Sequence, residues 1–89
     1  MQRDWELMRD ILSEASRKSP GESMIHTDIR GYFPLHVGDH IAVLSDAGCL
    51  KASIVRARGY VMWAAVTGVT VTGLQLLEKL QSRLPAVRR

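Results

Sequence analysis

The spacing of apolar residues near the amino terminus predicts a first amphipathic helix from about Trp5 to Arg17. Asp4 is a suitable N-cap because its carboxylate can accept a hydrogen bond from a free backbone N–H of the first turn. The apolar positions recur every three or four residues, at Trp5, Met8, Ile11, Leu12 and Ala15. The charged residues between them are expected to form a solvated face made of Glu6, Arg9, Asp10 and Arg17.

The segment from Gly31 to Leu50 predicts a second helix with a defined beginning and end. Pro34 suits the first helical position, where a backbone N–H would have no partner, and Gly48 suits the left-handed position that ends a helix. The apolar face is expected to consist of Leu35, Val37, Ile41, Val43, Leu44 and Ala47. Gly38 inside this helix predicts a close contact or a weakened first turn. Upstream, Met24 to Ile29 is long enough only for a short strand or an irregular turn.

A β-hairpin and a last helix are predicted for the rest of the chain. Leu50 to Ala57 and Tyr60 to Thr67 are rich in β-branched and aromatic residues, and Arg56-Ala57-Arg58-Gly59 is typical of a hairpin tip. Thr70 or Thr72 can cap the last helix. Its apolar stripe consists of Leu74, Leu77, Leu80 and Leu84, together with Leu76, and Pro85 ends it. The predicted fold is α+β, in the order helix, short strand, helix, hairpin, helix.

The composition is that of one small globular domain covering residues 1–89. Apolar residues make up 46% of the chain and charged residues 24%, which argues against disorder. The sequence contains neither a stretch typical of a transmembrane helix nor an apolar signal segment, so we expect no membrane insertion. The single cysteine, Cys49, excludes an intramolecular disulfide and favours a reducing compartment, so a cytoplasmic location is expected.

Short motifs spread over nearly the whole chain carry a resemblance to a known family. They are Met1-Gln2-Arg3-Asp4, Leu7-Met8-Arg9, Ile11-Leu12, Gly31-Tyr32, His40-Ile41 with Leu44, Ala47-Gly48, Leu50, Val69-Thr70, Gly73 and Leu76-Leu77. Together they resemble the domain of unknown function family 2513, whose members are small phage and bacterial proteins. The central pattern His-Ile-x-x-Leu-x-x-Ala-Gly-x-Leu is also similar to the end of the recognition helix in ArsR-like and MarR-like repressors. The resemblance implies a winged helix-turn-helix-like fold, with the second helix as recognition helix and the hairpin as wing.

DNA binding is the first functional hypothesis that this fold implies. The net charge of +3 and the pI of about 9.5 are compatible with an anionic partner. Basic residues of the wing can neutralise phosphates or reach a minor groove. The candidate DNA contacts are Lys51, Arg56 and Arg58 of the wing and His36 and His40 of the second helix. The expected protein is a transcriptional regulator of phage or bacterial origin that acts by occupying an operator.

The second helix also supports an alternative function. No Lys or Arg occurs between Phe33 and Leu50, whereas this stretch contains two aspartates. A helix that reads the major groove normally offers Arg, Lys, Asn or Gln to base edges. The alternative is a protein-interaction module, for example a phage protein that inhibits a host nucleic-acid-binding factor. Its candidate contacts are Asp39, Asp46 and His36, because the carboxylates can pair with basic residues of such a target.

Self-association is a further expectation. The candidate residues of a twofold dimer interface are Trp5, Met8, Leu74, Leu77, Leu80 and Leu84. The same leucines can instead form the intrachain core, which a domain of this size needs. The run from Val61 to Val66 is apolar on both strand faces, which exceeds what one buried sheet face requires. We therefore expect a homodimer.

Neither a metal site nor catalysis is predicted. His36 and His40 are spaced i, i+4 beside Asp39, but this spacing without a cysteine pair or a His-Glu-x-x-His pattern is weak support for zinc. We expect His40 to pack or hydrogen-bond at the helix boundary and His36 to lie on the surface. Cys49 has no activating partner nearby in the sequence, and no nucleophile motif occurs, so neither an enzyme nor a cofactor is expected.

Overall fold

The computed structural model describes residues 4–19 and 21–83, which form three helices and a small sheet. The elements are α1 (Trp5–Ser16), β1 (Met24–Ile25), a 3₁₀ turn (His26–Asp28), α2 (Pro34–Asp46), β2 (Leu50–Ala57), β3 (Tyr60–Val69) and α3 (Val71–Arg83). The predicted α+β class and the predicted order of elements are confirmed. The predicted ends of the last helix, Leu84 and Pro85, lie outside the described residues.

Local hydrogen bonds fix the helix boundaries. Asp4 caps α1, since its Oδ1 accepts the Leu7 backbone N–H at 3.0 Å. Of the two threonines proposed as the cap of α3, Thr70 is the cap: its Oγ1 accepts the Gly73 N–H at 3.0 Å. Gly48 has a φ of 77°, so it takes the left-handed conformation that was predicted for the residue ending α2.

The sheet is antiparallel, with strand order β1-β3-β2. The turn between β2 and β3 has positive φ at both Arg58 (53°) and Gly59 (81°), as in the two-residue turns that match the twist of a hairpin. The pairing register shifts twice along this hairpin, so Met62 and Thr67 of β3 are extra residues in β-bulges. The predicted hairpin is therefore confirmed, with two irregularities that the sequence pattern does not predict.

The first helix is rotated relative to the predicted apolar face. Leu7 is fully buried, whereas Trp5 is 45% exposed. The expected solvated position of Arg9 is wrong, because this residue is only 8% exposed and its Nε lies 3.6 Å from Asp10 Oδ1. A long arginine stem can cover apolar surface while its guanidinium pairs with a carboxylate, which accounts for a charged residue on this side of the helix.

The second helix packs against the sheet more closely than its apolar residues alone would predict. The side chains of Val37 and Ile41 are fully buried, but Leu35 is 53% exposed, so its predicted place on the apolar face is wrong. Gly38 explains the close approach, since a Cβ there would lie 3.1 Å from Val61 Cγ1. The close contact predicted at this glycine is confirmed. Ala47, also predicted to be apolar-facing, is exposed just beyond the helix end.

Within its described residues, the segment between α1 and α2 contains no full α-helix. A two-residue strand passes directly into the 3₁₀ turn, whose Asp28 Oδ2 accepts the Ile25 N–H at 2.9 Å. This outcome agrees with the predicted short strand or irregular turn. The core lies between the helices and one face of the sheet, and its largest fully buried side chains include Leu7, Met8, Ile11, Leu12, Met24, Ile41 and Leu44.

Candidate nucleic-acid interface

The two faces of the hairpin differ in what they contact. Along β2, Ala52 and Ile54 pack against the core, whereas Lys51, Ser53 and Val55 alternate with them and are exposed. We call the side that faces the helices the inner face and the opposite side the outer face. Because side chains alternate along a strand, Arg56 belongs to the inner face and reaches towards α2.

Two of the three predicted basic residues lie at the tip of the hairpin. Arg56 Nη2 is 3.9 Å from Asp46 Oδ2 at the end of α2, and both side chains are more than half exposed. Arg58 occupies the exposed turn. Lys51 is exposed at the other end of β2, five residues and roughly 17 Å from Arg56 along the strand. The structure therefore brings Arg56 and Arg58 together and leaves Lys51 apart.

The predicted contact between His40 and DNA is wrong, because this histidine is fully buried. Its Nε2 accepts the backbone N–H of Asp4 at 2.9 Å. Nδ1 must then carry the proton of the neutral ring, and it donates to the carbonyl oxygen of His36 at 2.8 Å. Both ring nitrogens are therefore hydrogen-bonded: Nε2 joins the beginning of α1 to α2, and Nδ1 bonds within α2. The expected packing and hydrogen bonding of His40 are confirmed.

His36 remains at the surface, beside the same junction. Its side chain is 37% exposed, and its Nε2 lies 3.7 Å from Asp4 Oδ2. Its ring meets the His40 ring edge to face, with centroids 4.4 Å apart. The arrangement does not hold a metal-ligand set: within residues 4–19 and 21–83, no group of three or more His, Cys, Asp or Glu side chains could bind an ion.

The acidic residues of α2 follow one side of the helix. Asp39 and Asp46 are seven residues apart, which is about two turns and 10.5 Å along the axis. Asp46 borders an apolar groove of about 420 Å³ between the three helices. The groove is lined by Trp5, Met8, Val43, Leu44, Asp46, Ala47 and Leu76. Of the two carboxylates proposed for partner binding, that of Asp46 thus lies beside an apolar surface, which the sequence analysis did not predict.

The predicted dimer residues are divided between core and surface. Met8, Leu77 and Leu80 are at most 7% exposed, so their assignment to an intermolecular interface is corrected: they pack within the chain. Trp5 and Leu74 are 45% and 48% exposed, but they line different grooves. Leu84 lies outside the described residues. Of the leucine stripe, Leu77 and Leu80 are consequently part of the core, whereas Leu74 is at the surface.

The largest exposed apolar residues of the hairpin were missed as candidate contacts. They are Val55, Tyr60, Met62 and Trp63, which are between 41% and 56% exposed. The run from Val61 to Val66 contained the signal, because it is too apolar for one buried strand face. Its alanines and its last valine are nevertheless buried, so the exposed part is confined to Met62 and Trp63.

The thiol of Cys49 and the phenol of Tyr32 both have raised pKa values. Burial raises the pKa of the Cys49 thiol, so the less reactive protonated form is favoured. Tyr32 donates its hydroxyl proton to Asp10 Oδ2 at 3.2 Å. Burial and then the charge of Asp10 raise the pKa of Tyr32 to about 12. Both groups have the behaviour of structural residues.

Comparison with known proteins identifies the family of the chain. No helix among the described residues combines the length and apolar character needed to cross a bilayer. No curated protein and no solved structure matches the chain significantly. A family model described as "Hypothetical protein (DUF2513)" matches residues 2–84, nearly the whole sequence, and the chain therefore belongs to the DUF2513 family.

Proposed function

We propose that this protein is a winged-helix DNA-binding protein that acts as a transcriptional regulator by occupying an operator. The order of elements supports the proposal, because a helix at the surface is followed directly by a β-hairpin whose second strand is central in a three-stranded sheet. In this reading α2 has the position of the recognition helix, and the β2–β3 hairpin is the wing. The 3₁₀ turn stands where other winged helices have a further helix.

The charge of the hairpin is the observation that carries the proposal. From residue 47 to residue 77 the chain contains no Asp or Glu, while Lys51, Arg56 and Arg58 contribute three positive charges. The two arginines are exposed at the tip beside the exposed side of α2. Exposed cations at such a tip attract phosphate oxygens and release the counterions condensed on DNA.

The acidic side of α2 determines the mode of binding. Asp39 and Asp46 would be repelled by phosphates, so the hairpin tip supplies the attraction, and α2 contributes shape rather than charged base contacts. The Asp46–Arg56 ion pair is exposed, and such pairs contribute little to stability, roughly 0 to 1 kcal/mol. Arg56 can therefore exchange Asp46 for a phosphate at small cost.

The salt dependence of duplex binding tests this proposal. With Lys51, Arg56 and Arg58 as phosphate contacts, the association constant should fall about 40-fold between roughly 50 and 200 mM salt, because each contact releases counterions. Fluorescence anisotropy with a labelled duplex of random sequence measures the constant at both concentrations. Absence of binding at the lower salt concentration would contradict the proposal, since the electrostatic attraction is strongest there.

A second candidate function rests on the groove between the helices. It combines about 420 Å³ of largely apolar space with the exposed Trp5 and the carboxylate of Asp46. This combination fits an amphipathic segment with basic residues, as found in nucleic-acid-binding proteins. Affinity capture of one host protein by the wild type, and its loss with both Trp5→Ala and Asp46→Asn, would support this function. Capture that survives both substitutions would exclude the groove as the binding surface.

A further inference from the structure

The β-bulge at Met62 gives the hairpin an unusual arrangement of aromatic side chains. Tyr60 and Trp63 are separated by three positions, so a regular strand would direct them to opposite faces. The extra residue changes this alternation: Tyr60 pairs with Ala57, and Trp63 pairs with Val55. Since residues 55 and 57 of β2 share the outer face, Tyr60 and Trp63 share it too. Their exposed fractions are 55% and 41%.

The distance between the two rings fits a nucleic acid strand whose backbone is extended. Their cross-strand partners are two residues apart in β2, which corresponds to about 7 Å along the strand. This is about twice the 3.4 Å rise per nucleotide along one strand of B-DNA. Successive bases can reach both rings only if they are separated by extension of the backbone. Bases in a duplex are stacked and paired, so their faces are not accessible to the rings.

The charges around the rings favour a nucleic acid over an apolar protein surface. Lys51 lies on the outer face towards one end of the hairpin, and Arg58 lies in the turn at the other end. No carboxylate occurs within the hairpin sequence. Exposed aromatic rings flanked by cations are the combination with which proteins hold single strands, because every base has a face that can stack.

We propose that the outer face of the hairpin binds single-stranded nucleic acid, with successive bases stacked on Tyr60 and Trp63 and phosphates near Lys51 and Arg58. This surface is opposite to the side on which Arg56 meets α2. It shares Lys51 and Arg58 with the proposed duplex interface, but the two aromatic rings belong to the outer face alone. The recognition is by stacking and charge, which predicts little dependence on base sequence. DNA and RNA single strands share this chemistry.

The test compares Trp63 with another exposed aromatic residue, Phe33. Labelled twelve-nucleotide oligo(dT) and oligo(rU) are titrated with the protein at about 50 mM salt, and binding is followed by fluorescence anisotropy. Trp63→Leu keeps an apolar side chain but removes the ring, and the Kd for the single strand should rise roughly tenfold or more. Trp63→Tyr should restore most of the affinity. Phe33→Leu is the matched control, since Phe33 is also an exposed aromatic residue but directly precedes α2, and the Kd of this variant should be unchanged.

Several results would overturn the proposal. If the wild type and Trp63→Leu bind the single strand with equal affinity and have the same circular dichroism spectrum, bases do not stack on Trp63. Sedimentation showing a wild-type dimer that dissociates in Trp63→Leu, without single-strand binding, would assign the outer face to a second copy of the chain. Duplex binding by the same variants is measured in parallel. If Arg56→Gln loses duplex binding but binds oligo(dT) normally, the result bears only on the α2 side of the hairpin. If Trp63→Leu loses oligo(dT) binding, the result bears only on the outer face.

Discussion

The junction made by His40 yields the sharpest prediction for stability. His40→Ala removes the acceptor of the Asp4 N–H and the ring that fills the space between α1 and α2. The Asp4 donor is partly buried, so leaving it unsatisfied costs at most roughly 1 to 3 kcal/mol, and the loss of the fully buried His40 side chain adds to this cost. We expect a total destabilisation of about 2 to 4 kcal/mol. For a chain of 89 residues this corresponds to a decrease in Tm of roughly 10 to 25 °C.

Two further variants separate the hydrogen bond from the packing. His40→Gln provides an amide oxygen that can accept from Asp4, so it should recover part of the lost stability. His36→Ala is the control on the same helix, and we expect a change within about 0.5 kcal/mol because this side chain is 37% exposed. Urea unfolding followed by circular dichroism measures all three variants. Equal destabilisation by His40→Ala and His36→Ala would refute the role assigned to the junction.

Three other substitutions, one of them with a matched control, test separate features. Gly73→Ala should destabilise the fold by about 3 kcal/mol or more, because a Cβ at this position would collide with a backbone carbonyl group. Gly68→Ala is its control and should be nearly neutral, because the added Cβ would meet only a side-chain carbon at 3.8 Å. Tyr32→Phe should reduce the alkaline loss of stability: the folded protein raises this phenol's pKa from 10.0 to about 12, so wild-type stability decreases as the pH rises through that range. A spectrophotometric titration near 295 nm and pH-dependent melting measure the effect. Asp46→Asn should strengthen duplex binding several-fold at low salt by releasing Arg56 and removing a repulsive charge; weaker binding would contradict the proposed mode.

Predictions from the sequence were most accurate where the structure depends on residues that are close together in the sequence. Asp4 and Thr70 cap their helices through hydrogen bonds that reach three residues along the chain. Gly48 and Gly59 adopt positive φ values that other residues rarely tolerate. The boundaries of the helices and of the hairpin could therefore be predicted from caps, turns and periodicity.

Predictions failed where contacts join distant parts of the chain. The hydrogen bond that His40 makes with Asp4 joins residues 36 positions apart in the sequence, so packing of this histidine was expected but its partner was not, and its candidate role as a DNA contact was wrong. The rotation of α1 places Leu7 rather than Trp5 in the core, because the packing partner sets which side of a helix is buried. The bulge at Met62 is a mismatch between two strands, and neither strand's pattern alone reveals it.

The central claim is that the hairpin tip supplies the charge for DNA binding, and a pair of charge-matched variants tests it most directly. Arg56→Gln with Arg58→Gln, and Lys79→Gln with Arg83→Gln on α3, each lower the net charge from +3 to +1, since two cations are removed from each. Anisotropy at about 50 and 200 mM salt measures duplex affinity. We predict that the hairpin variant loses most of its affinity for the duplex. Its association constant should change only about three- to fourfold between the two salt concentrations, whereas the α3 variant should keep the salt dependence of the wild type. Equal losses in the two variants would show that only net charge matters and would contradict the account.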